Sequence, residues 1–102
     1  MNYKEMVVVP YLLARVKVVD YDKWKPSFDQ LSAARKAYGA KGWLLLRDAD
    51  KPNEVTVLAE WDNLENARKY VQQSTELKNH IQKMGVKVDF YFLNEMEQIQ
   101  VQ

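Results

Sequence analysis

GWLLLRDADKPNEVTVLAEW, residues 42–61, is the stretch of sequence that decides the fold. Two apolar segments, residues 42–47 and Glu54–Trp61, flank the sequence DADKPN, which is dense in turn-forming residues. In the second segment, residues predicted to point inward alternate with residues predicted to point outward. The inward residues are Val55, Val57, Ala59 and Trp61, and the outward residues are Thr56, Leu58 and Glu60. This pattern predicts an antiparallel hairpin at the centre of the chain. We interpret Asp48 and Asp50 as turn residues and not as metal ligands.

A strand and a helix are predicted before the hairpin. Residues 7–19 are β-branched and aliphatic, with Pro10 near their start, where a strand tolerates proline. Asp20 or Asp22 can cap the following helix, and Pro26 falls in about its first turn. Its apolar stripe recurs every three or four residues: Trp24, Phe28, Leu31, Arg35 and Tyr38. Gly39 marks the predicted end of this helix.

A second helix and a last strand are predicted after the hairpin. Asp62 or Asn63 can cap a helix that runs to Gly85, and the polar sequence QQST, residues 72–75, predicts a kink or break within it. The apolar stripe of this helix contains Leu64, Ala67, Tyr70, Val71, Leu77, His80, Ile81 and Met84. Residues 86–96 form the last predicted strand, whose inner face carries Val86, Val88, Phe90 and Phe92.

The order of these elements predicts a single α+β domain over residues 1–102. It is the ferredoxin-like βαββαβ arrangement, a four-stranded antiparallel sheet with both helices on one face. The opposite face is also partly apolar, with Tyr11, Leu13, Leu58, Tyr91 and Leu93 interleaved with Arg15, Lys17, Glu60 and Glu95. Burying each of the five apolar side chains is worth roughly 1.5–3 kcal/mol. We therefore predict a homodimer formed sheet against sheet; the alternative is a monomer whose second face is partly wetted.

Composition excludes several classes of function. Fifteen basic and fourteen acidic residues give a net charge of +1, which gives no reason to expect a polyanionic partner. The sequence KGWLLLR, residues 41–47, has leucines where an RNA-recognition strand carries alternating aromatics, so we expect no nucleic acid. One histidine and no cysteine leave no thiolate chemistry, and we expect no metal site. The N-terminal apolar run is interrupted by Arg15 and Lys17, so we expect a cytoplasmic protein without a membrane span.

Three stretches of the sequence carry a family resemblance: VKVVDYDKWKPSFDQ (residues 16–30), DADKPNEVTVLAEWDNLENA (48–67) and FYFLNEME (90–97). They resemble the antibiotic biosynthesis monooxygenase-like domains of the dimeric α/β-barrel superfamily, and more narrowly a branch of small stand-alone proteins. The resemblance extends from about Leu13 to Glu97. It implies a homodimer whose two sheets form a barrel, with a pocket between the helices and the sheet of each subunit. Some such domains oxidise aromatic polyketides without metal or organic cofactor, and others degrade haem.

His80 is the only histidine, and three roles are open to it: general base, haem ligand, or partly buried helix residue hydrogen-bonded to the sheet. It lies 19 positions after Trp61, a spacing that resembles the haem-ligating histidine of the haem-degrading branch. The chain departs from that branch at Ala14 and Arg15, where an asparagine is expected, and at Tyr70, where a second pocket tryptophan is expected. We therefore expect no cofactor and do not favour haem degradation.

The remaining candidate residues follow from the two stripes and the resemblance. Trp61, Tyr70, Trp24 and Phe28 would line a pocket for a small aromatic or apolar molecule, although core packing explains such rings equally well. Arg35 could stabilise a phenolate or enolate, or extend its guanidinium to the edge of the fold. Two hypotheses follow. One is a cofactor-independent monooxygenase with His80 and Arg35 as catalytic residues, and the other is a binding or regulatory module without catalysis.

Overall fold

The computed structural model describes residues 9–101, and its four strands and four helices confirm the predicted ferredoxin-like order. Each of the two predicted helices is divided into two. The elements are β1 Pro10–Lys17, α1 Tyr21–Gln30, α2 Ser32–Tyr38, β2 Ala40–Arg47, β3 Glu54–Trp61, α3 Leu64–Gln73, α4 Thr75–Met84 and β4 Lys87–Asn94. The first strand was predicted to span residues 7–19. Its predicted start, Val7, lies outside the described residues, and the observed strand β1 ends at Lys17 and not at residue 19.

The four strands form one antiparallel sheet in the order β2-β3-β1-β4. Alternation along β3 is the predicted one, because Val55, Val57, Ala59 and Trp61 are all buried. Two corrections concern strand ends. β2 begins at Ala40, two residues earlier than predicted, and a bulge between Ala40 and Gly42 accommodates the extra residue. β4 spans Lys87–Asn94, so the predicted ends at residues 86 and 96 were each too far out.

The first predicted helix is interrupted at Leu31, which the sequence pattern did not indicate. The Leu31 amide donates to the Phe28 carbonyl at 3.0 Å, a three-residue closure that tightens the chain before α2 begins. Asp20, not Asp22, is the N-cap of α1, and its carboxylate accepts from two backbone amides. Pro26 is the sixth residue of α1 and not in its first turn, so its missing N–H removes one hydrogen bond from the helix.

The second predicted helix breaks at Ser74, within the polar sequence that predicted a break. Ser74 is fully buried, and its hydroxyl accepts from the Leu77 amide at 3.2 Å to cap α4. Asn63, one of the two predicted candidates, caps α3 by accepting from the Asn66 amide. Gly85 ends α4 in the left-handed conformation.

Gly39 joins α2 to β2 and fixes how the helices meet the sheet. Its φ of 126° is in the region that favours glycine, and a Cβ there would lie 2.5 Å from an Asp62 carboxylate oxygen. The Gly39 carbonyl accepts from the Asp62 amide at 3.0 Å. The ends of β2 and β3 are therefore held together beside this glycine.

The helix-free face of the sheet carries an apolar row that crosses all four strands. Register places Leu44 opposite Leu58, Leu58 opposite Leu13, and Leu13 opposite Tyr91. Leu44 and Tyr91 are 58% and 46% exposed, which is high for large apolar side chains. We call these four residues the outer apolar row. Within residues 9–101, no helix is long and apolar enough to cross a membrane.

The central hairpin has the predicted turn chemistry. The Asp48 carboxylate accepts from the Asp50 and Lys51 amides at 2.9 and 2.8 Å, and these hydrogen bonds lower the pKa of Asp48. One of its oxygens, Oδ1, thus accepts both amides of the turn, as expected for an Asx-type turn.

Candidate functional site

A cavity lies between the helices and the inner face of the sheet, where two clusters of core side chains meet. One cluster contains Trp61 and Tyr70, and the other contains Trp24 and Phe28. The cavity offers about 50 Å³ to the centres of water molecules. Since one water needs roughly 10–15 Å³ by this measure, the cavity has room for a few waters or one small group.

All six predicted site residues line this one cavity: Trp24, Phe28, Arg35, Trp61, Tyr70 and His80. Each of the four helices contributes, as do strands β1, β3 and β4. The remaining lining side chains are aliphatic or aromatic, and include Leu12, Leu31, Val57, Leu77, Ile81 and Phe90. The structure thus brings the predicted residues together, while their roles in chemistry stay predictions.

Arg35 is the one cationic side chain among the cavity-lining residues. It is 4% exposed, so the alternative that its guanidinium extends to the edge of the fold is wrong. The guanidinium carbon lies 4.1 Å from the centre of the Phe28 ring and 4.2 Å from that of Trp43, so the cation is held between two aromatic faces. One N–H of Nη2 donates to the Phe28 carbonyl at 3.3 Å. Burial lowers the pKa of Arg35, but a guanidinium stays charged at any physiological pH.

His80 enters the cavity from α4 and is 8% exposed. Its Nδ1 lies 2.7 Å from the Ser27 hydroxyl of α1, so the predicted hydrogen bond to the sheet is wrong and the partner belongs to a helix. Nε2 makes no hydrogen bond to another described residue. Burial lowers the pKa of His80, and the charges of Arg35 and Lys83 lower it further. The imidazole is therefore neutral at neutral pH. If Nδ1 donates to Ser27, Nε2 is left as a free acceptor, the form a general base requires.

Trp61 and Tyr70 form the other end of the cavity. Trp61 is 1% exposed and its ring centre lies 5.4 Å from that of Tyr70, which in turn packs edge-on against Tyr38. Burial raises the pKa of the Tyr70 hydroxyl, and the nearby Arg35 charge partly opposes that rise. The hydroxyl nevertheless makes no hydrogen bond of acceptable geometry within the described residues.

Four buried polar atoms within the described residues lack a hydrogen-bond partner, and all four belong to cavity-lining side chains. They are Trp24 Nε1, Arg35 Nε, Trp61 Nε1 and the Tyr70 hydroxyl oxygen. An unpaired buried donor costs about 1–3 kcal/mol, and native proteins contain few of them. Their concentration around one cavity makes its wall rich in hydrogen-bond donors that no described residue accepts.

The cavity does not fit a haem. A tetrapyrrole is far larger than the space available. Nor do the described residues contain a group of three histidine, cysteine or acidic side chains placed to hold a metal ion.

Sequence reasoning missed two residues that position the site. Ser27, the partner of His80, lies three residues after Trp24 and one before Phe28, and its place on the apolar stripe was a usable signal. Trp43 is absent from the predicted site residues, yet it covers one face of the Arg35 guanidinium. The run of three leucines that follows Trp43 hid which residues of β2 face inward.

Comparison with solved structures finds close matches in fold. SnoaB, a cofactor-independent oxygenase from Streptomyces nogalater, aligns with a TM-score of 0.77 at 18% identity, covering 91% of this chain and 98% of SnoaB. A proposed antibiotic biosynthesis monooxygenase from Caulobacter crescentus aligns with a TM-score of 0.71 at 18% identity, covering 88% and 92%. Another from Bordetella bronchiseptica aligns with a TM-score of 0.67 at 16% identity, covering 93% and 100%.

No protein-family model matches the sequence, and no curated protein matches it. The likeness therefore comes from three-dimensional structure at low sequence identity, and it concerns the fold. This chain has the ferredoxin-like fold of the antibiotic biosynthesis monooxygenase-like proteins.

Proposed function

We propose that the protein is a homodimer that binds a small aromatic molecule in the helix–sheet cavity and oxidises it with dioxygen, without a cofactor. The observation that carries this proposal is the meeting of His80 and Arg35 in one otherwise apolar, aromatic-lined cavity. One is a neutral imidazole suited to accept a proton, and the other is a buried cation suited to hold the charge that results. SnoaB, which has the same fold, is a cofactor-independent oxygenase.

The chemistry needs only the substrate and oxygen. In the reaction of anthrone, His80 Nε2 would remove a proton from the ring carbon, leaving an enolate whose oxygen is stabilised by Arg35. Attack of the enolate carbon on dioxygen would form a C–O bond and a hydroperoxide, and loss of water would leave the quinone. Anthrone (C14H10O) and O2 then give anthraquinone (C14H8O2) and H2O, so the substrate supplies all the electrons.

Dimerisation through the free sheet face is supported by the outer apolar row. Leu13, Leu44, Leu58 and Tyr91 lie side by side across the four strands. Leu44 and Tyr91 are exposed, and Leu13 and Leu58 are half-buried. A second copy would present the same row, so pairing of two sheets would bury both at once.

Oxygen consumption tests the catalytic proposal. Anthrone, and hydroquinone as a one-ring substrate, are incubated under air with wild type, His80→Ala, or Lys78→Ala as an exposed control on the same helix. We expect wild type and Lys78→Ala to exceed the protein-free rate, with His80→Ala slower by about 10²-fold or more. Equal rates for wild type and His80→Ala would exclude His80 as the base.

The small volume of the cavity favours a second candidate, a binding module without catalysis. About 50 Å³ does not admit three fused rings unless the cavity widens. If wild-type protein consumes no oxygen with either substrate yet binds aromatic molecules, this second function is the correct one.

A further inference from the structure

We propose that the cavity takes its ligand as an organic anion about the size of one aromatic ring, with a carboxylate held by Arg35. This inference rests on the proposed function, in which the cavity binds a small aromatic molecule, and it assigns the charge and size of that molecule.

Charge balance is the first argument. Arg35 carries a buried positive charge, and none of the sixteen side chains lining the cavity is acidic. The three salt bridges among the described residues do not include Arg35. Asp29, an acidic residue near enough to act on Arg35, is exposed and pairs with Lys25 at 2.7 Å. Buried charges are normally paired, so the missing partner is expected in the cavity.

Hydrogen-bond chemistry is the second argument. Indole and guanidinium nitrogens can only donate, and three of the four unpaired buried atoms are of this kind: Trp24 Nε1, Arg35 Nε and Trp61 Nε1. The fourth, the Tyr70 hydroxyl, can donate as well. A ligand that satisfies them must present acceptor oxygens. A carboxylate has two oxygens with several lone pairs, and it matches the planar donor fork of arginine.

Size and surface are the third argument. The wall is apolar apart from the donors and His80, so the body of the ligand is apolar too. Aromatic rings at both ends, Trp24 with Phe28 and Trp61 with Tyr70, favour a flat body. About 50 Å³ limits that body to one ring. Benzoate has these properties and serves as the probe.

The test compares three one-ring probes by quenching of tryptophan fluorescence, since Trp24 and Trp61 line the cavity. Benzoate is anionic, benzamide has the same shape without the charge, and phenol is neutral. Each is titrated into wild type, Arg35→Met and the control Arg68→Met. Arg68 also lies over an aromatic ring, Phe92 at 4.5 Å, but it is exposed and does not line the cavity.

We expect wild type and Arg68→Met to bind benzoate at least about tenfold more tightly than benzamide, and Arg35→Met to lose this preference. The wild-type comparison needs no variant, so it stands even if Arg35→Met does not fold. Equal binding of benzoate and benzamide by wild type would overturn the anion proposal and leave aromatic binding intact. Binding of none of the three probes would overturn both, and the cavity would then hold water alone.

Discussion

Replacing Arg35 with methionine should make the ligand-free protein more stable. The wild-type guanidinium is 4% exposed and has no acidic partner among the described residues, and its Nε–H is unpaired. Removing that unpaired donor recovers about 1–3 kcal/mol. Methionine keeps contact with the Phe28 and Trp43 rings, and its sulfur–aromatic contacts of about 0.3–1.5 kcal/mol offset part of the lost cation–π attraction. The Phe28 carbonyl, which loses its bond to Arg35, still accepts from Leu31.

The expected net gain is about 1 kcal/mol, which for a domain of this size raises the unfolding midpoint by about 4–8 °C. Thermal unfolding followed by circular dichroism measures it, without any added ligand. Arg68→Met is the matched control and should stay within about ±0.5 kcal/mol of wild type, because Arg68 is exposed. A lower midpoint for Arg35→Met than for Arg68→Met would refute the reasoning, since it would mean that the buried charge is already compensated within the folded chain.

Three further predictions concern the dependence of stability on pH, the glycines that end α2 and α4, and dimerisation. The folded-state pKa of His80 lies below its unfolded value of about 6.5, so the unfolded chain binds more protons as the pH falls toward and below that value. Between about pH 7.5 and pH 5, urea unfolding should therefore show a larger loss of stability for wild type than for His80→Gln. Equal losses would contradict the burial of a neutral imidazole. Gly85→Ala should lower the free energy of unfolding by about 1 kcal/mol because of its left-handed backbone alone. Gly39→Ala should lower it by about 2–3 kcal/mol because the new Cβ also meets the Asp62 carboxylate. Equal losses in chemical denaturation would show that this carboxylate moves away freely. Leu58→Lys, in the outer apolar row, should convert the dimer to a monomer, as measured by light scattering. Val19→Lys, at an exposed bend outside that row, should leave the dimer intact. A wild-type monomer at high concentration would rule out the dimer.

Periodic patterns in the sequence were sufficient to predict the fold and its buried faces, whereas the pocket between helices and sheet was implied by the family resemblance. The stripe through Trp24, Phe28 and Arg35, and the alternation that ends at Trp61, each point to one buried face. Because both helices pack on that face of the sheet, residues from the two stripes had to converge. This is why positions as distant in sequence as Arg35 and His80 line one cavity.

Other features depend on tertiary contacts that leave no local signal. No glycine or proline stands at Leu31, so the break between α1 and α2 could not be predicted from residue type. The burial of Arg35 between Phe28 and Trp43 depends on β2 lying beside α2, and the opposite preference, extension to the surface, is the common one for arginine.

A crystal structure of the protein soaked with phenol or benzoate tests the central claim most directly. We predict an aromatic ring in the helix–sheet cavity between Trp24 and Trp61, with an oxygen of the ligand within hydrogen-bond distance of Arg35. A cavity that holds only water or collapsed side chains at saturating concentrations of both compounds would contradict the assignment of this site.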